Sequence, residues 1–527
     1  MSDAPLMVGV SGLRGITGRS LTPEVAARFA GAFGGWVKAA KRPAAAGELR
    51  SKAADTAGSG TAVVVIGTDG RAGFEPIHAA AIAGLSAAGC EVVDLGVAMT
   101  PTIGVMVDHL DAAGGMVVTA SHNPQEWNGL KCLVRAASDP GRAAACAPDA
   151  SSADAIVARF RAAAAPPTRS PAPVDQRGDG ARAHVQSVLA AIGPDAARAV
   201  RGRRIRVLLD SVNGAGRFGG RDMLLLLGCE LIHHGAEDGG VFPHKPEPTK
   251  ENLVTLGAGV MKFNAQVGFA QDPDADRLAI VDEEGNYIGE EYTLALAAEA
   301  VLGAGRDGET ERRRDEEKTR RVLVANLSTS RMIDDVAARH SARVIRTPVG
   351  EANVVAAMKR ERDAGHDVVL GGEGNGGVIW PRVTYVRDSL SAMALVLALM
   401  ARTGKSIREL VAAIPAYAIE KRKVDLARKE DAQPTIRKIA AAYAPPSSSP
   451  PHLLTSSPAQ GSSPRIDLQD GVRVDWDGPL PGGGSGKAWL HVRASNTEPI
   501  MRLIAEAPTP QAAAAILDDA ARVIGHT

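Results

Sequence analysis

Short runs of β-branched and leucine residues alternate along this chain with longer alanine-rich stretches. The clearest example is residues 61–96, which read TAVVVIGTDGRAG, then EPIHAAAIAGLSAAG after one phenylalanine, then CEVVDLG. The same order of apolar run, polar loop and helical stretch returns within residues 204–235, 320–350 and 366–374. Strands that alternate with helices form βαβ units in a parallel or mixed sheet. Because the units recur at intervals near a domain length, the pattern predicts repeated α/β domains.

Four segments interrupt this pattern. They are rich in alanine with glycine, proline or serine, or in charged residues of both signs, and they span residues 39–60, 137–179, 303–321 and 444–463. Such compositions bury little apolar surface, so we expect exposed inserts or disordered loops. The charged segment mixes both signs, which favours a solvated helix or loop over a nucleic-acid site.

Composition narrows the class of protein. The 527 residues suggest about three to five domains. Lys+Arg and Asp+Glu both number 60, so no net charge attracts a nucleic acid or an anionic membrane. Aromatic residues make up only 3%, which leaves few side chains on which bases could stack. The N-terminus lacks the pattern of a signal peptide, and the apolar stretch at residues 390–401 is too short to span a bilayer. We expect a cytoplasmic protein.

The cysteines do not indicate a metal site or a disulfide framework. They are far apart in sequence, form no CxxC pair, and lie at Cys90, Cys132, Cys146 and Cys229. This pattern is consistent with a reducing compartment.

A polar loop, TASHNPQEWNGLK, begins at residue 119, within the end of the apolar run GGMVVTA. It contains Ser121, His122 and Lys131. Each loop residue has an ordinary local reason to be there, so taken alone the segment is most simply a polar loop at a strand end. Whether Ser121 is instead a nucleophile depends on what else the chain carries.

A second loop, QDPDADR, alternates three carboxylates. Asp272, Asp274 and Asp276 can converge on one hard cation, and Arg277 follows directly. An EF-hand is excluded, because glycine is required where Arg277 stands and the flanking segments read as strands. A tight loop that holds Mg²⁺ fits better, and the remaining alternative is an aspartate-rich turn that only caps strands.

The third loop, GGEGNGG, matches the spacing of a dinucleotide-binding fingerprint after a strand. That fingerprint must open a helix, and the following VIWPRVTY does not. Glu373 and Asn375 could instead hydrogen-bond polyol hydroxyls. The later GGGSGKA is not a P-loop, since it has Pro481 and Ala488 at two required positions.

A fourth segment, RASNTEPIMR, combines two guanidinium groups with hydroxyls. Its candidate phosphate-binding residues are Arg493, Ser495, Asn496, Thr497 and Arg502. A guanidinium with hydroxyl and backbone N–H groups is a common way to hold a phosphate. A helix cap or an ordinary serine/threonine turn is the equally simple alternative.

The four loops in this order resemble the α-D-phosphohexomutase family. The resemblance extends from VGVSGLRGITG to RASNTEPIMRLIAEA and is supported by GTDGR, SVNGAG, FPHKPEPTKENL and RTPVGEANV. It implies three similar α/β domains with mixed sheets plus a smaller C-terminal α+β domain around a central cleft. We expect the domains at residues 1–185, 186–290, 291–415 and 416–527.

The resemblance also implies a role for each loop. Ser121 is the expected phosphoserine and, with Asp272, Asp274 and Asp276, a ligand of Mg²⁺. Arg14 and Arg277 are expected to neutralise charge near Ser121. His122 and Lys131 are the candidates for moving the hydroxyl proton, and we favour Lys131 because a lysine near phosphates both neutralises and transfers protons.

The remaining implied roles concern the substrate. Glu373 and Asn375 are expected to bind the sugar. The expected ligands of the phosphate that does not react are Arg493, Ser495, Asn496, Thr497 and Arg502. A hexose 1,6-bisphosphate is the implied primer, and the enzyme is expected to be a monomer or homodimer.

The resemblance leaves the substrate open. Many relatives read Ser-Gly-His where this chain has Asn375, Gly376 and Gly377, and the motifs SGLRGI, GEGNGGVI and SNTEP look most like phosphoglucosamine mutases. Interconversion of glucosamine 6-phosphate and glucosamine 1-phosphate is therefore the favoured function. The alternatives are a phosphomannomutase/phosphoglucomutase, a non-catalytic sugar-phosphate sensor, and a calcium-binding structural module.

Overall fold

The computed structural model describes residues 5–10, 12–40, 62–135, 144–162, 174–175, 179–304, 321–444, 464–494 and 500–525. Three mixed β-sheets, each packed with helices, follow one another along the chain. An antiparallel sheet with helices comes last. The predicted fold class is confirmed. Among these residues no helix is both long and apolar enough to cross a membrane. All four cysteines are buried and free.

Domain I contains an eight-stranded mixed sheet. Its strands are β1 (Met7–Gly9), β2 (Gly12–Ile16), β3 (Ala62–Thr68), β4 (Cys90–Val97), β5 (Gly114–Val118), β6 (Trp127–Arg135), β7 (Ala145–Cys146) and β8 (Val174–Asp175). Its helices are α1 (Pro23–Ala39), α2 (Glu75–Ala87), α3 (Thr100–His109) and α4 (Ala150–Ala162). The strand order is β1-β2-β6-β5-β3-β4-β8, and β7 pairs with β6.

Domain II has a four-stranded sheet in the order β10-β9-β11-β12. The strands are β9 (Arg206–Asp210), β10 (Glu230–His234), β11 (Val267–Gln271) and β12 (Leu278–Val281), and the helices are α5 (Asp179–Arg203), α6 (Gly216–Leu226) and α7 (Val254–Lys262). Helix α5 kinks at Gly193, just before Pro194, and it continues across the first predicted domain boundary. We keep the three predicted boundaries between the four domains as a proposal.

Domain III repeats this arrangement in the order β14-β13-β15-β16. The strands are β13 (Arg321–Asn326), β14 (Arg343–Thr347), β15 (Asp367–Glu373) and β16 (Gly377–Ile379). The helices are α8 (Glu290–Gly303), α9 (Met332–Arg339), α10 (Glu351–Asp363), α11 (Ser389–Thr403) and α12 (Ile407–Ala412). The apolar stretch 390–401 lies within α11, which is buried along most of its length.

Domain IV is a five-stranded antiparallel sheet in the order β17-β21-β20-β19-β18. The strands are β17 (Ala418–Asp425), β18 (Arg465–Asp467), β19 (Val472–Pro479), β20 (Ser485–Ala494) and β21 (Ile500–Ala507). The helices are α13 (Ala432–Tyr443), preceded by the 3₁₀ turn Lys429–Asp431, and α14 (Pro510–Ile524). Apolar residues of both helices join those of the sheet in one core.

Three of the candidate loops occupy equivalent positions. In each of the first three domains a parallel strand ends in a loop and returns as an antiparallel strand: β5 to β6, β11 to β12, and β15 to β16. These three connections contain the candidate loops, which we name by their predicted roles. The serine loop carries TASHNP, the metal loop carries DPDADR, and the sugar loop carries GEGNGG. One repeated topology therefore places the three candidate loops at the ends of parallel strands.

The expectation that residues 137–179 form an exposed or disordered insert is wrong for its described part. Helix α4 lies there and packs against α1, with Ile156 and Phe160 buried and the Phe160 ring 5.5 Å from that of Phe29. Ile156 and Phe160 are four residues apart, so they lie on one face of a helix. The composition of the segment obscured that spacing. Of the other three inserts, residues 41–60, 305–320 and 445–463 lie outside the described part of the chain.

A buried chain of hydrogen bonds joins helices α3 and α5 to the start of α11. Thr102 Oγ1 on α3 lies 2.9 Å from His184 Nδ1 on α5, and His184 Nε2 lies 3.1 Å from Asp388 Oδ2 at the start of α11. All three side chains are at most 1% exposed. Burial this complete requires every polar atom to find a partner inside the protein, so the three helices are fitted to one another at this point.

Candidate active site

The serine loop is held by a buried ion pair. Arg71 and Asp69 are fully buried and 2.8 Å apart, and Thr119 Oγ1 donates to Asp69 Oδ2 at 2.5 Å. The Ser121 backbone N–H donates to Thr119 Oγ1, and its carbonyl accepts from Arg71 Nη2 at 2.5 Å. These bonds hold Ser121 at φ +51°, a conformation that costs a non-glycine residue about 1–3 kcal/mol.

The metal loop forms a compact group of buried carboxylates. Asp272, Asp274 and Asp276 are all 0% exposed, and each offers an oxygen within 4.8 Å of the others. The Oδ1 atoms of Asp274 and Asp276 are buried with no hydrogen-bond partner among the described residues. Oxygen ligands and unsatisfied buried charge are what Mg²⁺ requires. These residues therefore fit the predicted metal.

The serine and metal loops meet directly. Ser121 Oγ donates to Asp272 Oδ2 at 3.0 Å across the boundary between the first two domains. Burial, together with the charges of Asp274 and Asp276, raises the pKa of Asp272 well above its usual value. A cation that shares this carboxylate cluster would also lie beside the Ser121 oxygen.

Lys131 contacts two of the three aspartates of the metal loop. Its Nζ is 2.7 Å from Asp276 Oδ2 and 3.2 Å from Asp274 Oδ2. Burial disfavours the ammonium, but the carboxylates of Asp274 and Asp276 outweigh it and raise the pKa of Lys131. Lys131 therefore forms a buried ion pair with both carboxylates.

His122 lies on the other side of Ser121, with its Nδ1 3.4 Å from Ser121 Oγ. Burial and the nearby cations Arg277 and Arg14 lower the pKa of His122 to about 3. The imidazole is consequently neutral at physiological pH. Arg14 Nη1 donates to Asn123 Oδ1 at 3.0 Å, and Arg277 Nε lies 3.8 Å from Asp276 Oδ1, so both predicted cations border the serine and metal loops.

The sugar loop adjoins the metal loop. The backbone N–H of Leu278 donates to the Gly376 carbonyl at 3.0 Å. Glu373 is 5% exposed, and its Oε1 accepts from Asn326 at 2.9 Å. Asn375 Nδ2 is 3.5 Å from Glu373 Oε2. The two predicted sugar ligands are thus neighbours at one end of the site.

The phosphate segment is only partly described. Arg493 and Arg502 are directly opposite each other on β20 and β21. Burial, partly offset by Asp470, lowers the pKa of Arg493, and Arg502 adds to that lowering. Arg493 Nε is buried without a partner among the described residues. Ser495, Asn496 and Thr497 lie outside the described residues, so their predicted role stays a prediction.

Two residues of this site were not identified from the sequence. Thr100 Oγ1 donates to Asp274 Oδ2 at 2.6 Å, and Arg387 Nη2 donates to Asp276 Oδ2 at 2.6 Å. Neither belongs to a recognisable motif. Arg387 is 111 residues from Asp276 in sequence, and only the packing of domain III on domain II brings them together.

A serine and three buried aspartates lie together at a junction of domains, with a further carboxylate and arginines nearby. Comparison with known proteins identifies the family of the chain. Family models for the phosphoglucomutase/phosphomannomutase α/β/α domains I, II and III match residues 5–144, 182–285 and 290–417, and the C-terminal domain model matches residues 423–523.

Individual relatives are similar along almost the whole chain. A phosphoglucomutase/phosphomannomutase of Thermococcus kodakarensis is 31% identical over 522 residues, covering 97% of both chains. A protein named "Probable phosphoglucosamine mutase" from Methanopyrus kandleri is 31% identical over 514 residues, covering 97% of this chain and 96% of its own. A solved phosphoglucomutase/phosphomannomutase family protein from Burkholderia thailandensis shares the fold, with a TM-score of 0.71, 24% identity and 98% coverage of both chains.

This chain belongs to the phosphoglucomutase/phosphomannomutase family. It is a mutase of this family and therefore an isomerase.

Proposed function

We propose that this enzyme interconverts hexose 6-phosphates and hexose 1-phosphates through a phosphorylated Ser121, with glucosamine phosphate as the preferred substrate. The observation that carries the proposal is the 3.0 Å contact between Ser121 Oγ and the aspartate cluster. Phosphoryl transfer depends mainly on positioning and on neutralising charge. Both requirements are met by a nucleophile held rigidly beside a cation site.

In the first proposed step phospho-Ser121 donates its phosphoryl group to the free hydroxyl of a hexose monophosphate. The bond from phosphorus to Ser121 Oγ breaks, a bond to the sugar oxygen forms, and the hydroxyl proton passes to a base. The bisphosphate turns over within the cleft. Its other phosphoryl group then transfers to Ser121 Oγ. The bond from phosphorus to the sugar oxygen breaks, a bond to Oγ forms, and the base returns the proton to that sugar oxygen, which leaves the isomeric monophosphate. A hexose 1,6-bisphosphate would prime an enzyme that has lost its phosphate.

Asp272, Asp274 and Asp276 would hold Mg²⁺, which when bound stabilises negative charge on phosphoryl oxygens. Arg14, Arg277 and Lys131 would supply further positive charge from this chain. Because all three aspartates are completely buried, their electrostatic interactions are screened less than those of surface groups. The charged side chains of the site therefore interact strongly, and their burial leaves them little freedom to move.

For the base we propose His122, in contrast to the preference for Lys131 drawn from the sequence. The geometry supports this choice, because the His122 ring lies beside Ser121 Oγ while the Lys131 ammonium is held by Asp274 and Asp276. Lys131 would then neutralise charge, and His122 would accept the proton.

At the far end of the cleft, Arg493 and Arg502 would hold the phosphate that does not react. Like charges directly opposite each other on paired strands repel, and a dianion between the two side chains would relieve that repulsion. Ser495, Asn496 and Thr497 would add hydroxyl, amide and backbone groups. Glu373 and Asn375 would bind sugar hydroxyls that are equivalent in the two orientations of the substrate.

The preference for glucosamine phosphate rests on sequence motifs and on the names of relatives, of which one is a phosphoglucomutase/phosphomannomutase and another a probable phosphoglucosamine mutase. The test is kcat/KM for glucosamine, glucose and mannose phosphates in parallel, with Mg²⁺ and a hexose bisphosphate primer. We expect glucosamine phosphate to lead by about tenfold or more, which is about 1.4 kcal/mol of transition-state preference.

The control is Ser121→Ala, for which we expect a folded protein with no turnover and no phosphorylated residue by intact mass. If glucose or mannose phosphate leads, the preference for the amino sugar is wrong while the mutase activity stands. If no sugar turns over but sugar phosphate still binds, the protein is a sensor.

A further inference from the structure

Arg387 lies in the turn between β16 and α11 and connects three carboxylates. The residue is 7% exposed. Its Nη2 donates to Asp276 Oδ2 at 2.6 Å, its Nη1 donates to Glu373 Oε2 at 2.8 Å, and its Nε lies 3.3 Å from Glu351 Oε2. Its backbone N–H donates to Glu351 Oε1 at 3.2 Å. One guanidinium thus contacts a candidate metal ligand and a candidate sugar ligand from two different domains.

The neighbouring residues hold Arg387 in place. Asp388 caps α11 by accepting from the backbone N–H groups of Leu390 and Ser391. Ser389 Oγ donates to the Ala275 carbonyl in the metal loop at 2.7 Å. A Cβ atom at Gly377 would collide with Arg387 Cδ, so the glycine makes room for this side chain.

We propose that Arg387 is a positioning residue that sets the metal-binding Asp276 and the sugar-binding Glu373 at a fixed separation. The inference rests on the proposed function of these two carboxylates. The guanidinium is planar and presents its donors in a rigid fork, which fixes direction as well as distance. Two loops on separate domains are thereby held as one surface, so that a sugar bound at Glu373 lies at a set distance from the metal and from Ser121.

A purely structural ion pair is the simpler alternative. Buried ion pairs contribute little net stability compared with well-packed apolar groups, because the desolvation cost offsets the attraction. Arg387 makes two of its charge contacts with residues that the site needs in defined positions. Removing Arg387 alone would leave three buried carboxylates without this partner and should also lower the Tm. The binding measurements, and not stability, therefore distinguish a positioning role from a structural one.

The first test compares Arg387→Met and Arg387→Lys with the unmodified chain. Mn²⁺ affinity is measured by electron paramagnetic resonance without sugar, and glucose 1-phosphate affinity by calorimetry. We expect Arg387→Met to weaken both by about 10- to 100-fold, the usual cost of losing a group that orients a metal ligand. Arg387→Lys should recover only one of the two affinities. An ammonium is a single point of charge and lacks the planar set of donors that reaches both carboxylates.

A second variant, Gly377→Ala, displaces the Arg387 side chain without removing its charge. We expect the same two affinities to weaken, with circular dichroism unchanged. Arg422→Met is the control, since Arg422 forms an exposed pair with Asp518 in domain IV.

Unchanged affinities with only a lower Tm would show a structural role and overturn the inference. Tighter Mn²⁺ binding in Arg387→Met would overturn it as well, because Arg387 would then act only as an opposing charge. If the unmodified enzyme interconverts no hexose phosphate, the proposed function fails, but the two binding measurements still decide the role of Arg387.

Discussion

The buried centre and the domain IV end of the site differ in how completely their polar groups are paired. Ser121 and the three aspartates are at most 2% exposed and are linked to Lys131 and Arg387 through short contacts. Arg502 is exposed, and Arg493 is half-buried with an unpartnered Nε among the described residues. The polar groups of the centre contact one another directly, whereas Arg493 and Arg502 are two like charges opposite each other on paired strands. Under the proposed function, phosphoryl transfer takes place in the first region, and the second region binds the phosphate that does not react.

The most severe way to break the centre is to remove the metal. We expect dialysis against a chelator to lower kcat by about 10³-fold or more, since a bound cation contributes several kcal/mol of transition-state stabilisation. Added Mg²⁺ should restore the rate. The fold should survive, because Lys131 and Arg387 still balance part of the carboxylate charge. Thermal unfolding checks this point, and unfolding on metal removal would instead indicate a structural calcium or magnesium module.

The next largest effect concerns the base. His122→Asn should lower kcat by about 10²- to 10⁴-fold. The pKa of His122 is lowered to about 3 by burial and by Arg277 and Arg14, so its neutral form is lost only as the pH falls through that value. The rate profile of the unmodified enzyme should therefore be flat between about pH 6 and pH 9.

Lys131→Met is the matched comparison for the base. It should lower the rate without adding a slope to the pH profile, because only a charge is lost. If Lys131 were the base, kcat would rise with pH as its ammonium loses a proton, since its pKa is raised. A tenfold rise per pH unit above neutrality that disappears in Lys131→Met would contradict the assignment of His122.

The smallest expected effect comes from a substitution in domain IV and tests whether that region only binds substrate. Arg493→Met should raise KM about 10- to 100-fold with kcat nearly unchanged, since a charge-assisted hydrogen bond contributes about 1.5–3 kcal/mol. An interaction made equally with the ground state and the transition state affects only KM. Steady-state kinetics in both reaction directions check this, with Arg422→Met as control. A fall in kcat instead of a rise in KM would place Arg493 in the chemistry.

Much of the fold follows from local pattern. The alternation of apolar runs and alanine-rich stretches predicts βαβ units because each strand and helix buries its own periodic face, and β3, α2 and β4 lie where that pattern indicates. Helix α4 was missed because its composition resembles a linker, and its two large apolar residues are recognisable only by their spacing. Which faces pack together depends on distant segments.

The candidate site shows the same division. Ser121, Asp272 and Glu373 belong to short motifs, so each could be proposed from a few neighbouring residues. Arg387 carries no such signal, because its partners come from Asp276 and Glu373 in loops that sequence alone does not bring together. The charges around a residue could not be predicted from the sequence either. Nothing in the segment around Lys131 indicates that its ammonium contacts Asp274 and Asp276.

The hydrogen-bonded chain of Thr102, His184 and Asp388 has a consequence for how this protein can change over evolutionary time. Each of the three residues belongs to a different part of the chain, and each satisfies a buried atom of another. A replacement that removed any one of the three side chains would leave a buried polar atom of another without its partner. A recombination or an engineered exchange of one α/β domain must therefore keep these three residues. An exchange of the C-terminal domain must likewise keep the buried bonds from Arg331 to Glu506 and from Arg473 to the Leu327 carbonyl.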